Sequence, residues 1–487
     1  MKWLAAIKDR LGNRRVPSDK PAAKQTLAPT EISRNDHSIS RKNISEGALK
    51  VMSRLRSAGY QGYLVGGSVR DLLLGKRPKD FDIATDARPE QVRELFRNSR
   101  IIGRRFKIVH VRFGPEIIEV TTFRGRHNQE GDTEDAPPPQ QSSRSETGML
   151  LRDNVFGSLE EDAERRDFTV NALYYTSENF SVYDFANGMA DLDNRVIRII
   201  GDPGTRYRED PVRMLRAVRF AAKLDFTIEP RTAEPIHELA LILRDVPAAR
   251  MFDEVLKLLM AGAGAATFAL MQEFGLFAAL FPDSARALDE APNGDELIRL
   301  ALRNTDQRIA QHKPVTPAFL YAALLWPALE REFNRISAQG VPEQLAVQQA
   351  ASTVIERQLH TIAIPRRFSL PMREIWEIQW RLPKRSPQRV LNLLENPRLR
   401  AGYDFLLLRE EAGEALDGLG AWWTEFLAAE EDHREQMLRD VNERSSTGPR
   451  RRRPRRNNRS KGSAGSAEQA ANNDQGDYQS DNQGDEA

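Results

Sequence analysis

The chain of 487 residues contains no cysteine, so it can build neither a disulfide framework nor a cysteine zinc site. Its seven histidines are scattered, with no pair at ligand spacing. No His-Asp dipeptide occurs, which speaks against an HD-type phosphohydrolase domain. Long apolar runs are also missing. None approaches the length of a membrane span, and the apolar core of the first fifteen residues is too short for a secretory signal. Net charge is only +2, but it is unevenly placed. These absences describe a soluble, intracellular type of chain with room for several domains. The cytoplasm is the expected location and a monomer the expected state.

What is present divides the chain. Near the N-terminus, Trp3, Ile7 and Leu11 share a helical face while Lys2, Lys8 and Arg10 lie elsewhere. Such a segment can lie on a membrane surface; a frayed terminal helix is the plainer reading. Residues 1–40 are expected to be a flexible leader. A helix follows, with Ala48, Val51, Met52 and Leu55 at helical spacing and Gly59 as its stop. Strands and helices then alternate in an expected head over residues 41–185. Pro89 opens one helix, and two strands meet at Gly114-Pro115. Residues 127–148 are polar and low in complexity, and read as a loop inserted in the head.

From Asp210 onward the pattern is helical. Pro282, Pro314, Pro317, Pro365 and Pro371 are expected to mark breaks, and Trp376 and Trp380 to pack in the core. The expected divisions are a helical neck over 186–310 and a helical arginine-rich domain over 311–443. A disordered tail over 444–487, basic and then acidic, follows. The fold class is therefore α+β: a small mixed-sheet head followed by an all-helical neck, body and leg.

The chemistry is concentrated in residues 63–85, YLVGGSVRDLLLGKRPKDFDIAT. Gly66 and Gly67 follow an apolar run and precede a helix, a turn that lets backbone amides approach a triphosphate. Asp80 and Asp82 lie two apart between Phe81 and Ile83. On a strand, alternation would put both carboxylates on one face, about 7 Å apart at Cβ. Two carboxylates there can hold a pair of hard cations. Either feature alone is weak. Their order, with the basic segment 76–79 between, points to metal-assisted nucleotidyl transfer.

This stretch closely resembles the first motif of the tRNA nucleotidyltransferase and poly(A) polymerase family, the class II branch of the polymerase-beta-like nucleotidyltransferases. The resemblance extends to Arg165-Arg166-Asp167-Phe168-Thr169-x-Asn171-Ala172, similar to a second motif, and to residues 208–220, REDPVRMLRAVRF. It implies catalytic metal ligands at Asp80 and Asp82, with two Mg²⁺ ions, and a third carboxylate. Glu119, on a neighbouring strand, and Asp162, just before the second motif, are both candidates; strand geometry favours Glu119. Nucleotide contacts fall to Gly66, Gly67, Arg70, Asp71, Arg166, Asp167 and Asn171, since guanidinium groups offer fixed donors to phosphate and ribose oxygens. Glu209, Asp210 and Arg213 match a pattern that serves as a protein template for the nucleobase, and Arg216 joins them. Asp210, Arg213 and Arg216 are three apart, and on one helix they would share a face.

Within the family, several segments resemble the bacterial poly(A) polymerases: residues 37–52 (HSISRKNISEGALKVM), 153–157 (DNVFG) and 400–409 (RAGYDFLLLR). The implied activity is template-independent addition of AMP from ATP to RNA 3′ ends, marking RNA for decay. RNA-decay proteins would be partners, and peripheral membrane contact would run through the N-terminus. A CCA-adding tRNA nucleotidyltransferase is the alternative, and an inactive RNA-binding scaffold the alternative of another class. Arg450, Arg451, Arg452, Arg453, Arg455 and Arg456 form a run able to neutralise RNA phosphates.

Overall fold

A computed structural model describes residues 29–103, 107–125, 143–144, 150–152, 155–290 and 294–446. The N-terminal amphipathic segment, most of the inserted loop and the arginine run lie outside the described residues, as do Asp153 and Asn154.

The head is built on an eight-stranded sheet. Its order is Thr30–Ile32, Val182–Asp184, Leu173–Tyr175, Tyr63–Val65, Asp82–Thr85, Glu116–Thr122, Ile108–Phe113 and Ser99–Ile102. Every neighbouring pair is antiparallel except Asp82–Thr85 with Glu116–Thr122, which run parallel. The helix Pro89–Leu95 and the two outer strands provide the connection that a parallel pair needs. The helix Glu46–Ser57 is capped by the Ser45 side chain. It buries Val51, Met52 and Leu55 in a core with Ile83, Val109, Ile118 and Val120.

Three expectations are corrected here. The leader is not flexible throughout, because Thr30–Ile32 pairs with Val182–Asp184 as the edge strand of the sheet. Asp80 is not on the strand, which begins at Asp82; Asp80 is exposed in the connection before it. Pro371 breaks nothing, since it lies within the helix Arg366–Gln379.

Beyond the head the chain is helical, relieved by the two-stranded pair of Val196–Ile197 and Thr227–Ile228. The α+β class holds. One core runs from Phe168 and Val212 through Phe252, Phe268 and Tyr321 to Trp376 and Phe405. Trp376 is fully buried, and its indole Nε1–H donates to the Ala322 carbonyl at 3.0 Å. Among the described residues no single helix is long and apolar enough to cross a membrane.

Candidate active site

Residue chemistry and strand register bring the first carboxylates together. Asp82 opens its strand, and in the parallel register it stands beside Glu119. Burial pushes the Asp82 carboxyl up to about 6; Glu119 adds to this against the pull of Arg166, and Asp80 adds less. His110 lies opposite Glu119 on the next strand, its Nε2 3.3 Å from Glu119 Oε1.

Among the described residues no group of three or more His, Asp or Glu side chains forms a ready cation cage. Asp82 and Glu119 are nonetheless adjacent oxygen donors of like sign, and Asp82 resists ionising through its burial first and this neighbour second. A hard divalent cation fits that donor set.

Gly66 turns the chain beside these acids. Its φ of 74° and ψ of −137° suit glycine alone, and it caps the helix Gly67–Leu73. A Cβ there would lie 3.6 Å from Arg166 Nη1 and 3.9 Å from Asp82 Oδ2. Arg166 therefore aims one nitrogen at the gap between the glycine turn and Asp82.

Its other nitrogens are tied down. The helix Leu159–Arg165 starts with a capping box of Ser158 and Glu161, which sets Asp162 one turn before Arg166. Arg166 Nε donates to the Tyr174 hydroxyl at 2.7 Å, and Nη2 donates to Asp162 Oδ2 at 3.1 Å. Tyr174 in turn donates to the same oxygen at 2.7 Å. Asp162 Oδ1 accepts from the Arg124 amide. Burial works against the Arg166 charge, but Tyr174 and Asp162 hold its pKa above the usual arginine range. Asp162 is thus an anchor for Arg166, with both its oxygens engaged, while Glu119 is the carboxylate at Asp82's side.

A second chain of bonds joins the three motifs. Arg70 is buried, and its Nε and Nη2 donate to Asp71 Oδ1 at 3.0 and 2.7 Å. Its Nη1 donates to Asn171 Oδ1 at 2.7 Å. Asn171 Nδ2 donates to Asp167 Oδ1 at 3.2 Å, and Arg216 Nε donates to Asp167 Oδ2 at 2.6 Å. Burial alone would raise the Asp167 carboxyl; Arg216, Asn171 and the Phe168 amide instead hold it well below the usual carboxylate range. Arg70 and Asp71 act within this scaffold.

The third motif is not one helix. The helix Pro203–Glu209 ends at Asp210, which is extended, and a second helix, Val212–Leu224, follows Pro211. Proline forces this break, because it lacks an N–H and restricts the residue before it. Asp210 therefore does not share a helical face with Arg213 and Arg216. Arg213 Nη1 donates to the Arg206 carbonyl at 2.7 Å and to Glu209 Oε2 at 3.1 Å. Asp210 instead accepts from Arg250 Nη2 at 2.9 Å, across from the helix Ala248–Leu259. Asp210 Oδ1 and Arg250 Nη1 are buried without hydrogen-bond partners. One open acceptor and one open donor in a bonded pair match a nucleobase edge that carries the complementary groups.

Sequence reasoning missed two residues here. Arg250 lies forty positions beyond Asp210, so no local spacing announces it. Arg219 had a signal, the three-residue spacing of Arg213, Arg216 and Arg219. Among the described residues its guanidinium makes no hydrogen bond or ion pair and rests 4.9 Å from the Phe220 ring centre, and burial pushes its pKa down to about 10.

Comparison with known proteins bears on this geometry. The family model "Poly A polymerase head domain" matches residues 62–198. "Probable RNA and SrmB- binding site of polymerase A" matches 225–288, and "Polymerase A arginine-rich C-terminus" matches 339–457. Poly(A) polymerase I of Escherichia coli O157:H7 is 52% identical over 432 residues, covering 87% of this chain and 91% of that one. This chain belongs to the poly(A) polymerase I family. The three motifs of this family member fall in or beside the matched head. A CCA-adding enzyme of Streptococcus suis is 41% identical over 214 residues, but these are only 44% of this chain and 49% of that one. The solved structure "tRNA-processing enzyme (apo form 2)" shares the fold, with a TM-score of 0.52 at 21% identity, covering 80% of this chain and 99% of that one.

Proposed function

We propose that this chain transfers AMP from ATP to RNA 3′ hydroxyls without a template, releasing pyrophosphate. The observation that carries the reading is the extent of the likeness. It runs through head and helical regions alike for relatives named poly(A) polymerase I, and through less than half of the chain for a CCA-adding enzyme.

The residues divide the work. The Gly66 turn lets phosphate oxygens approach the backbone closely. Arg166, kept charged by Asp162 and Tyr174, presents a donor to them. Asp167 and Asn171, braced by Arg216 and Arg70, offer an acceptor and a donor to ribose hydroxyls. Asp210 with Arg250, beside Glu209 and Arg213, reads the base edge. Two Mg²⁺ ions held by Asp80, Asp82 and Glu119 would supply Lewis acidity to the 3′ hydroxyl and the departing pyrophosphate. The proposal extends to cytoplasmic action as a monomer, with RNA-decay proteins as partners and peripheral membrane contact through the N-terminus.

Extension of a labelled, unstructured RNA oligonucleotide with Mg²⁺ and each nucleotide in turn tests the activity. A long ladder with ATP alone is expected. Short addition confined to tRNA ends and requiring CTP would overturn the reading.

Base selection gives a second prediction. Arg250→Ala should raise KM for ATP and narrow the preference for ATP over CTP. The cost in kcat/KM is roughly tenfold, the scale of one hydrogen bond to a charged group. Arg250→Lys, which keeps the charge beside Asp210, should recover part of the loss. An unchanged ratio of ATP to CTP use in both variants would remove Arg250 from base reading.

A further inference from the structure

Two cavities flank Trp380, far along the chain from the head motifs. One, about 260 Å³, is lined by Trp380, Arg381, Lys384, Arg389, Gln344 and Gln348. The other, about 270 Å³, shares Trp380, Lys384 and Glu343. Both lie outside residues 225–288, the matched RNA-binding segment.

The charges around Trp380 are unevenly cancelled. Of the carboxylates on the first cavity, Glu343 accepts from Lys384 Nζ at 2.6 Å and Glu377 accepts from Arg373 Nε at 3.0 Å. The Arg381 and Arg389 guanidinium groups make no hydrogen bond or ion pair among the described residues. Arg385, on the same turn, lies over the Trp422 ring at 5.1 Å. Three cations therefore remain uncompensated around the turn from the helix Arg366–Gln379 into Pro387–Leu394.

The rest of the wall is not that of a plain cationic face. Trp380 packs on Phe333 and Trp326, with ring centres 4.8 and 5.5 Å away, and still lines both cavities. Its indole N–H has no acceptor among the described residues. The Gln344 and Gln348 side-chain amides are likewise uncommitted. An aromatic ring, free amides and arginines in one cleft combine a base-stacking platform, base-edge partners and phosphate contacts.

We propose that this cleft is a second RNA site. It holds the single strand upstream of the 3′ end, with phosphates on Arg381 and Arg389 and a base against Trp380. The proposal rests on the reading of the chain as an RNA-extending enzyme. An acidic protein or a membrane would use the cations but leave the ring and the amides idle.

The position of the cleft makes it separable from the head. The helix Arg366–Gln379 packs on Pro317–Leu324, that on Gly294–Ala310, that on Gly264–Glu273, and that on Val212–Leu224, which carries Arg213 and Arg216. The helix also meets the base-reading pair by a shorter route, because Phe368 in its first turn packs on Phe252 at 5.8 Å, two residues from Arg250, and Trp380 follows at the far end, roughly 18 Å along the axis at 1.5 Å per residue. A strand of about 6 nucleotides fills one such site and is too short to fill both the head and the cleft, whereas one of about 30 fills both.

The test is direct binding, without ATP, of fluorescent oligoadenylates of about 6 and about 30 nucleotides, chosen to occupy one site or span both. The full chain is compared with Arg381→Ala/Arg389→Ala and with Trp380→Leu, which keeps apolar bulk against Phe333. The double variant should bind the long strand at least about fivefold more weakly, and its salt slope should fall by about 1.4 for two lost phosphate contacts. The short strand should bind unchanged. Trp380→Leu should weaken the long strand with the salt slope kept. Equal loss on both lengths, or no loss on either, overturns the proposal. So does lost binding to phosphatidylglycerol vesicles with RNA binding intact, which would assign the cations to a membrane. Because ATP is absent, failure here is distinct from failure of the adenylation reading, which wild-type extension of the short strand decides by itself.

Discussion

Asp82→Asn is expected to lower nucleotidyl transfer by roughly 10³-fold, since loss of a metal-holding carboxylate removes several kcal/mol of charge stabilisation in the transition state. RNA binding should be kept, because no phosphate contact is assigned to this residue. Stability should move the opposite way from activity. Folding favours the protonated form of Asp82, whose carboxyl sits at about 6 beside Glu119. An acid whose pKa is raised by folding costs stability as pH climbs from its ordinary value near 4 through the folded value. Above pH 6 the charged form is held at a cost on the order of 3 kcal/mol in metal-free protein. The neutral amide escapes that cost, so the variant should melt higher than the wild type at pH 8 and no higher at pH 4. Gel extension and thermal unfolding at the two pH values check both halves. A variant that loses activity and melts lower at pH 8 would make Asp82 a structural residue and sink the assignment.

How far the site could be read from sequence follows from which contacts are local. The glycine turn, the helix opened by Pro89, the strand pair at Gly114-Pro115 and the spacing of Arg166, Asp167 and Asn171 are local, and they stand where the sequence reading put them. The expected place of Asp80 on the strand does not hold, and the reason is local. Alternation alone does not say where pairing starts, which the strand bonds of Asp82 with Val65 and Glu119 fix. The helix break at Pro211 is legible in sequence, because proline lacks an N–H and restricts Asp210 before it. The edge strand Thr30–Ile32 has three residues and takes its pairing from residues more than 140 positions away, so composition does not announce it. Sequence leaves Glu119 and Asp162 as alternatives, and only tertiary structure shows how their surroundings differ, with Tyr174 and Arg166 around one and Asp82 beside the other.

Asp167→Asn should be the most damaging substitution to the scaffold of the site. Asp167 is the carboxylate that links Asn171 to Arg216 in the chain of bonds that starts at Asp71 and Arg70. Removing its charge leaves the Arg216 guanidinium facing a neutral amide. Breaking a fully buried pair costs about 3–5 kcal/mol. The Arg216 side chain is 35% exposed, so solvent recovers part of this and roughly 2 kcal/mol is expected. The sign with pH is fixed. Folding depresses the Asp167 carboxyl, so the wild type gains from it above the ordinary carboxylate value near 4, and the gain drains away as pH falls below that. Urea unfolding should therefore separate the two proteins at pH 7 and bring them together as the pH approaches the acid limit of folding. Arg216→Ala, alone and combined with Asp167→Asn, closes the cycle, and the pair should show a coupling of about 1–3 kcal/mol. Activity should fall further than stability explains, because Asn171 is held by Asp167 on one side and Arg70 on the other. A slackened Asn171 misplaces the ribose even in molecules that remain folded. If the variant unfolds like the wild type at pH 7, the bonds between motifs do not hold the site together, and Arg70 and Arg216 must be reassigned to direct contact with the nucleotide.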